Sequence, residues 1–320
     1  MRFWKLQLPV DDNKDGKVDE VDVRGLKDYS HPDFFHLNEG GFLIFSAPNK
    51  AATTTNSTNT RSELRQMYRS TNTKIGTHDL ANNFALKANR RAKDFADIGG
   101  QLEATLAVLH VARNANYPDK RPAYSVVVGQ IHAGKDEGLM RRGSGFGNEP
   151  IKIFYKKWPD HETGSVFWTY ERNLARDNPD RTDIVYPVWG NTWENPGDPG
   201  DDGISLGELF NYNINVHGNT MYLTFRTKDA ARTVNYQIDL SDNVDAYGNV
   251  DEKDNPEGYS RDALYFKAGA YNQCSAKDAT ASWYPACAGT GEWATDKANG
   301  DYVSVAFARL LLSRSVAPAD

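Results

Sequence analysis

No apolar stretch in the chain approaches the roughly 20 residues that a membrane-spanning helix needs. An excess of positive charge is also missing, because 37 Lys and Arg stand against 43 Asp and Glu, a formal net charge of −6. That balance argues against binding to nucleic acid or to a membrane surface. Helical periodicity is scarce, and short apolar runs separated by Gly, Asn, Asp and Pro take its place. We therefore expect a β-rich protein with neither a nucleic-acid nor a membrane partner.

Cysteine is nearly absent, with only Cys274 and Cys287 among 320 residues. Neither has the spacing to another ligand that a metal site requires. Their short separation suits a disulfide that closes one surface loop, which would stabilise the fold by about 3 kcal/mol. Two free thiols in a reducing compartment are the alternative. The first residues, Met1 to Leu6, lack the apolar run of a signal peptide, so we interpret them as the start of a processed, secreted protein.

Short segments with the alternating or β-branched composition of strands recur along the whole chain. They lie at residues 42–46, 102–111, 124–133, 151–157, 165–170, 214–216, 221–226, 234–240, 264–272 and 302–312. Such a series predicts an all-β fold of two stacked antiparallel sheets, a jelly roll or sandwich. His217-Gly218-Asn219 between two of them predicts a hairpin turn. Because strands continue on both sides of the long polar segments, we expect one domain over residues 1–320 with those segments as rim loops.

Three strand segments place polar side chains on one face, because residues two apart on a strand point the same way. An ordinary half-solvated sheet with surface ion pairs explains any one of them. The group types nevertheless complement one another for a single reaction, and Glu63 between two arginines can fix both guanidinium groups. The residues that share this face are Arg61, Glu63, Arg65 and Arg69 in the first segment, Gln130 and His132 in the second, and Tyr265, Lys267, Gly269 and Tyr271 in the third.

The same three segments resemble the signature motifs of polysaccharide lyase family 7, the alginate lyases. The family motifs are Arg-Ser/Thr-Glu-Leu-Arg, Gln-Ile/Val-His and Tyr-Phe-Lys-Ala-Gly-x-Tyr-Asn-Gln. They match residues 61–65, 130–132 and 265–273, in the family's order. The resemblance extends from residues 4–9 to residues 302–312 and implies a β-jelly roll whose concave sheet forms the substrate groove. It also implies an acidic polysaccharide as substrate. Because the protein itself is acidic, its positive charge must then be concentrated in one cleft. We expect the protein to be a monomer.

The resemblance also implies roles for individual residues. By motif position the catalytic residues are Arg61, Gln130, His132 and Tyr271, and the supporting, substrate-binding residues are Glu63, Arg65, Lys267 and Tyr265. β-Elimination on a uronate removes the proton on carbon 5, stabilises the charge that develops on the carboxylate, and protonates the leaving oxygen on carbon 4. A guanidinium and an amide suit the carboxylate, and an imidazole suits the base because it exchanges protons near neutral pH.

Tyr271 suits the remaining step, protonation of the leaving oxygen. It can serve as both base and acid when the proton and the leaving oxygen lie on the same side of the sugar ring. A neighbouring cation such as Lys267 or Arg65 would favour the phenolate that this dual role needs. Either Arg61 or Arg65 is a candidate for the contact with the substrate carboxylate. No metal or cofactor is needed for the elimination.

Substrate preference and function class have open alternatives. The sequence Gln130-Ile131-His132 has the isoleucine that the family associates with guluronate-containing blocks, whereas valine is associated with mannuronate. A lyase for another polyuronate such as glucuronan is compatible with the same motifs. A non-catalytic carbohydrate-binding jelly roll would not need His132 paired with Tyr271. A retaining glycoside hydrolase would need two carboxyl groups about 5 Å apart, and no strand carries such a pair.

Residues 11–22 resemble a calcium-binding loop of EF-hand or dockerin type. Gly16 falls at the sharp turn, and the oxygen-bearing side chains have the ligand spacing of such loops. The last ligand position is Asp where the EF-hand pattern has Glu, and no flanking helices are evident, so an acidic surface turn is the simpler interpretation. Any calcium here would be structural. The candidate ligands are Asp11, Asn13, Asp15, Asp19 and Asp22.

Overall fold

The computed structural model describes residues 1–277 and 283–318. Within them the chain forms seventeen β-strands, three short α-helices and three single 3₁₀ turns. No helix in these two ranges is both long and apolar enough to cross a membrane. The expected all-β architecture is confirmed.

The elements are bounded as follows. The strands are β1 (Trp4–Gln7), β2 (Glu20–Val21), β3 (Phe35–Leu37), β4 (Leu43–Pro48), β5 (Asn59–Gln66), β6 (Phe84–Ala85), β7 (Asp97–Ile98), β8 (Gly100–His110), β9 (Ser125–Ala133), β10 (Ile151–Lys156), β11 (Ser165–Glu171), β12 (Asp183–Trp189), β13 (Phe210–His217), β14 (Thr220–Thr227), β15 (Thr233–Asp239), β16 (Leu264–Ser275) and β17 (Tyr302–Ser313). The helices are α1 (Val23–Leu26), α2 (Glu137–Met140) and α3 (Trp293–Asn299), and the 3₁₀ turns are Leu80–Asn82, Ala92–Asp94 and Gly200–Asp202.

The strands form two sheets. The first runs in the order β12-β11-β10-β9-β16-β5-β1-β2, with β6 attached to β16 and β7 attached to β6. The second runs β15-β14-β13-β8-β17-β4-β3. All of these pairings are antiparallel except that of β6 with β7. Neighbouring strands are often distant in sequence, which is typical of a jelly roll.

The hydrophobic core fills the space between the two sheets. Leu64 of β5 and Phe266 of β16 meet Phe45 of β4 and Leu106 of β8 in one continuous cluster of buried side chains. Alternation along β16 places Phe266, Ala268 and Ala270 in this core, so the intervening residues face away from it. The side of β5, β9 and β16 that faces away from the core is called here the polar face, after Arg61, Glu63, Gln130, His132, Lys267 and Tyr271.

All ten strand segments expected from the sequence occur, with ends that differ by a few residues, and the turn at Gly218 joins β13 to β14. Strand β12 was not expected, because Pro187 interrupts its pattern; the strand tolerates proline because it lies at the edge of its sheet. The expected position of Arg69 on the polar face is wrong. The strand ends at Gln66, so Arg69 leaves the polar face and forms an ion pair with Asp22 at 3.2 Å.

Gly269 makes a tight approach between β16 and β5 possible. Its φ is +150°, and a Cβ there would lie 2.4 Å from the Ser62 carbonyl oxygen. On the other side of β16, Ala268 pairs with Gly129 and Tyr271 pairs with Val127, so one extra residue of β16 forms a bulge against β9. The glycine in the third motif is therefore required by backbone packing two residues before Tyr271.

Replacing Gly269 with alanine should destabilise the fold by about 2–3 kcal/mol, because the new methyl group overlaps backbone atoms of β5 that cannot move independently. Gly218→Ala is the matched control: its φ is +65° but nothing lies within 4 Å of its Cβ, so only the backbone penalty of about 1 kcal/mol remains. Urea unfolding of both variants measures the difference. Equal losses in the two variants would contradict the close approach.

Candidate active site

Strand pairing brings the three predicted motifs side by side. Tyr265 of β16 lies opposite His132 of β9, and Lys267 lies opposite Gln130. On the other edge of β16, Lys267 faces Arg65 and Tyr271 faces Arg61 of β5. The eight residues predicted for catalysis and substrate binding therefore share one face of one sheet.

The polar face is buried, although it carries charged residues. Arg61 is 8 % exposed, Glu63 1 % and Lys267 4 %. Charged side chains are seldom buried to this extent unless they are paired. The alternative of an ordinary half-solvated sheet is therefore wrong for β5 and β16, and these groups must satisfy one another or a ligand.

Glu63 is the acceptor that joins the three strands. Its carboxylate accepts from Arg61 Nη1 at 3.1 Å, from the Lys267 ammonium, and from the side-chain amide of Gln130. Burial opposes the charged form, but Lys267 and then Arg61 lower the pKa of Glu63 below its ordinary value. Burial, reinforced by Arg61 and opposed by Glu63, lowers the pKa of Lys267 to about 8.

Arg61 and Arg65 differ in how many of their guanidinium N–H groups have protein partners. Arg65 donates to the carbonyl oxygens of Gln66 and Thr77 and to Asn83 Oδ1 at 2.7–3.0 Å, and its guanidinium lies 3.8 Å from the Tyr265 ring centroid. Arg61 Nε, in contrast, has no hydrogen-bond partner among the described residues. Arg65 is thus tied to the backbone and to Asn83, whereas Arg61 keeps one buried N–H without a protein partner.

Tyr271 lies at the border between the charged groups and a small apolar cluster. The Arg61 guanidinium is 4.0 Å from its ring centroid, and its hydroxyl is 3.4 Å from Ser57 Oγ. The cation beside this phenol is thus Arg61, which corrects the expectation of Lys267 or Arg65. Tyr284 lies near this hydroxyl, and burial raises the pKa of Tyr284 well above its ordinary value.

His132 has both ring nitrogens engaged by protein atoms. Nδ1 lies 2.6 Å from the carbonyl oxygen of Ala133, and because a carbonyl oxygen only accepts, Nδ1 carries a hydrogen. Nε2 lies 3.1 Å from Oε1 of Glu149. The Tyr265 ring stacks on the imidazole with centroids 5.3 Å apart and planes inclined by 10°. The imidazole is therefore held in one orientation at the polar face.

A second charged cluster adjoins His132, and sequence reasoning missed it. Lys152 of β10 lies 3.1 Å from Asp183 and 3.4 Å from Glu149, and Arg181 lies 2.6 Å from Glu171. Burial opposes the charge on Glu149, but Lys152 and then His132 lower its pKa well below the ordinary value. Burial raises the pKa of Glu171 well above its ordinary value, and Glu149 adds to that rise while Lys152 opposes it.

Among the site residues that the sequence analysis missed, only Lys152 had a usable signal in the sequence. Lys152 stands inside the apolar run of β10, where an isolated lysine predicts a buried partner. Glu149 precedes that strand, and Ser57 lies in a Thr/Asn-rich loop, so neither belongs to a periodic pattern. Tyr284 reaches Tyr271 only because the chain folds back after β16.

The predicted disulfide is confirmed: Cys274 and Cys287 are bonded, and they tie the end of β16 to the chain beyond Pro285. Within the segment that they close, Trp283 packs edge-on against Trp193 with ring centroids 5.7 Å apart. Tyr284 follows it in the chain and lies near Tyr271. The disulfide therefore anchors a segment that contributes a hydroxyl to the polar face.

The N-terminal acidic loop keeps its side-chain oxygens for its own backbone. Asp11 accepts from the N–H groups of Asp15 and Gly16 at 3.0 Å, and Asn13 and Asp19 also accept from backbone N–H groups of the loop. Asp22 is held by Arg69. Residues 1–277 and 283–318 contain no group of three or more His, Cys, Asp or Glu that could hold a metal ion. The calcium hypothesis of the sequence thus stays a prediction.

Glu63→Gln should lower the free energy of unfolding by about 3 kcal/mol, because it removes the negative charge that neutralises two buried cations. Glu103→Gln is the control, since the Glu103–Arg309 pair on the other sheet is exposed and contributes at most about 1 kcal/mol. Chemical denaturation of both variants at pH 7 gives the two values. A loss for Glu63→Gln no larger than that of the control would show that Glu63 does not hold the strands together.

Comparison with known proteins agrees with the motifs. The family model described as alginate lyase matches residues 1–314. An alginate lyase from Klebsiella pneumoniae is 35 % identical over 281 residues, which cover 84 % of this chain and 81 % of that protein.

Two solved structures have the same fold along nearly the whole chain. The crystal structure of the alginate lyase from Klebsiella pneumoniae has a TM-score of 0.75 and 31 % identity, covering 98 % of this chain and 96 % of that one. The exolytic PL7 alginate lyase AlyA5 from Zobellia galactanivorans has a TM-score of 0.77 and 33 % identity, covering 100 % and 97 %. On its sequence, its fold and its relatives, the chain belongs to the alginate lyase family.

Proposed function

We propose that this alginate lyase cleaves guluronate-containing blocks of alginate by β-elimination, with Arg61, Gln130, His132 and Tyr271 as its catalytic residues. The observation that carries the proposal is their convergence on one buried face, where Arg61 keeps a free N–H and Gln130 a free oxygen. An unpaired buried polar atom costs about 1–3 kcal/mol.

Arg61 would bind the uronate carboxylate and stabilise the negative charge that develops on it as the proton on carbon 5 leaves. Its Nη1 and Nη2 are held by Glu63 and Ser57, so the guanidinium is oriented before substrate arrives. Preorganised donors of this kind are usually the largest contribution to catalysis. Gln130 is held by Glu63 in the same way and would add hydrogen bonds to the sugar.

His132 and Tyr271 would then move the protons. Guluronate and mannuronate differ in configuration at carbon 5, so the proton lies opposite the leaving oxygen in guluronate and on the same side in mannuronate. For guluronate, His132 would take the proton and Tyr271 would protonate the leaving oxygen. For mannuronate, Tyr271 could perform both steps from one side of the ring.

The buried carboxyl groups argue against hydrolysis. Retaining hydrolases need two carboxyl groups about 5 Å apart with the sugar between them. Glu171 instead accepts from the backbone N–H of Glu149 at 2.9 Å, and Lys152 and Arg181 pair with Glu149 and Glu171. A carbohydrate-binding module without catalysis would have no use for an imidazole and a phenol on the same face.

A basic cavity and the disulfide support our proposals for the substrate and for the location of the protein. Lys135 and Arg261 line a small cavity with Arg65 and Tyr265, so basic groups continue beyond the catalytic residues and suit a polyanionic chain. The disulfide is typical of proteins that work outside the reducing cytosol, so we propose that the protein is secreted. We further propose that it acts as a monomer with a single catalytic domain.

Incubation with polyguluronate, polymannuronate, alginate and glucuronan should increase ultraviolet absorbance most rapidly on polyguluronate, since elimination creates a carbon–carbon double bond. His132→Ala and Tyr271→Phe should each reduce kcat by about 100-fold or more. His217→Ala and Tyr247→Phe, at two exposed residues outside the three motifs, should retain wild-type rates. Absence of absorbance on every uronan would refute the proposal, and faster cleavage of polymannuronate or glucuronan would refute the preference.

We propose that no metal is required, because Arg61 supplies the positive charge that the carboxylate needs, and that any calcium acts only on the N-terminal loop. Chelation with EGTA should leave both kcat and the melting temperature unchanged, since Asp22 is held by Arg69 and Asp11 by backbone N–H groups. A calcium-dependent rise in melting temperature that Asp15→Asn abolishes would establish a structural site instead.

A further inference from the structure

A loop rich in basic residues follows directly on the strand that carries His132. Strand β9 ends one residue after His132, and residues 134–147, called here the basic loop, then include the short helix α2. Lys135 of this loop lines the small cavity that also contains Tyr265. The Tyr265 ring stacks on the imidazole of His132, so the basic loop begins at the edge of the polar face.

The basic loop carries three exposed cations, Lys135, Arg141 and Arg142. None of them forms an ion pair within the part of the chain that the structure describes. Of the two acids on the loop, Asp136 uses its carboxylate to accept from a backbone N–H of the loop itself, and Glu137 is exposed. Three cations against two acids leave the loop basic, and the cations can pair with a ligand.

Hydrogen bonds hold the basic loop against the segment that precedes β16. Asp262, which is fully buried, accepts from the backbone N–H of Gly145 at 2.9 Å. Arg261 donates to the carbonyl oxygen of Arg142 at 3.3 Å and so adds a fourth cation, which is paired with Glu257. A charged surface that is ordered before it binds loses little conformational entropy when a ligand arrives.

The opposite edge of the same sheet is acidic. Gln7 of β1 lies opposite Glu63 of β5 and opposite Glu20 of β2, so β1 and β2 continue the polar face on that side. A cavity of about 640 Å³ at this edge is lined by Lys17 and by four acids, Asp12, Asp15, Asp19 and Glu20. A polyuronate carries one negative charge on each sugar, so this edge would repel it.

We propose that the basic loop, through Lys135, Arg141 and Arg142, binds the uronates of alginate that lie beyond the sugar being cleaved. The chain would then leave the polar face past His132 and not over the N-terminal acidic loop. This inference rests on the proposed function, because it places the cleaved sugar at the polar face. It adds a polyanion-binding surface outside the three motifs, which attracts and holds the chain without touching the reacting atoms.

The double variant Arg141→Gln, Arg142→Gln tests the proposal. KM for polymeric alginate should rise about tenfold at low salt with kcat unchanged, because each exposed charge contact contributes a few-fold in affinity. KM for the shortest oligouronate that the wild type cleaves should stay the same, since that substrate does not reach the basic loop. In about 1 M salt the effect on the polymer should disappear, because the Debye length falls to about 3 Å.

Two further variants remove positive charge elsewhere. Arg226→Gln, Lys228→Gln makes the same double change at exposed residues in and just after β14, on the second sheet. Lys17→Gln removes the cation of the acidic cavity. Both should keep the wild-type KM for the polymer, and exposed substitutions of this kind should leave the fold intact. An unchanged KM in Arg141→Gln, Arg142→Gln, or a rise of similar size in Lys17→Gln, would overturn the proposal.

Binding without turnover separates this inference from the proposed function. In a Tyr271→Phe background, the slowing of the protein in native gels that contain alginate, relative to gels without it, measures affinity for the polymer. Adding Arg141→Gln, Arg142→Gln should weaken this retardation, and adding Arg226→Gln, Lys228→Gln should not. Equal retardation in both would refute the inference even if the wild type cleaves alginate. Failure of the wild type to cleave any uronan, with the difference in retardation present, would refute the proposed function alone.

Discussion

Neutralisation of buried charge around Glu63 is the constraint on which the polar face depends. Three adjacent strands place a guanidinium, an ammonium and an amide within reach of this one carboxylate. Without it, the two cations would be buried without compensation, at a cost of several kcal/mol. With it, Arg61 and Gln130 keep fixed orientations and still have free polar atoms. Rigid placement before the substrate arrives is what allows such groups to favour a transition state.

Two buried charge clusters flank the proposed catalytic residues. The cluster around Glu63 holds Arg61 against Tyr271, whereas the cluster around Glu149 and Lys152 contacts His132. Both are buried, so the basic side chains face the substrate through a low local dielectric while the protein as a whole carries a net charge of −6. This arrangement reconciles an acidic protein with a polyanionic substrate, since only the charges that line the face act at short range.

Residues from two loops contact the side chains that the strands place on the polar face. Ser57, from the segment before β5, contacts both Arg61 and Tyr271, and Tyr284 reaches the same phenol from the segment anchored by Cys274 and Cys287. Trp283 buries its ring against Trp193 and so fixes the position of the neighbouring tyrosine. Strands supply the groups common to the motifs, and these loops determine how enclosed the phenol is.

The sequence by itself determined the fold class, most strand positions, the disulfide and the face that carries the motifs, because strand periodicity and residue pairing are local properties. It also identified the residues of the motifs, since their spacing of two is the period of a strand. Tertiary structure alone decided that Arg61 and not Arg65 has a free donor, that Arg69 leaves the face, and that Glu149 touches His132. These outcomes depend on register, on the end of β5 and on contacts between residues far apart in the chain. No local pattern encodes such contacts, so only the packed sheet decides which charges meet.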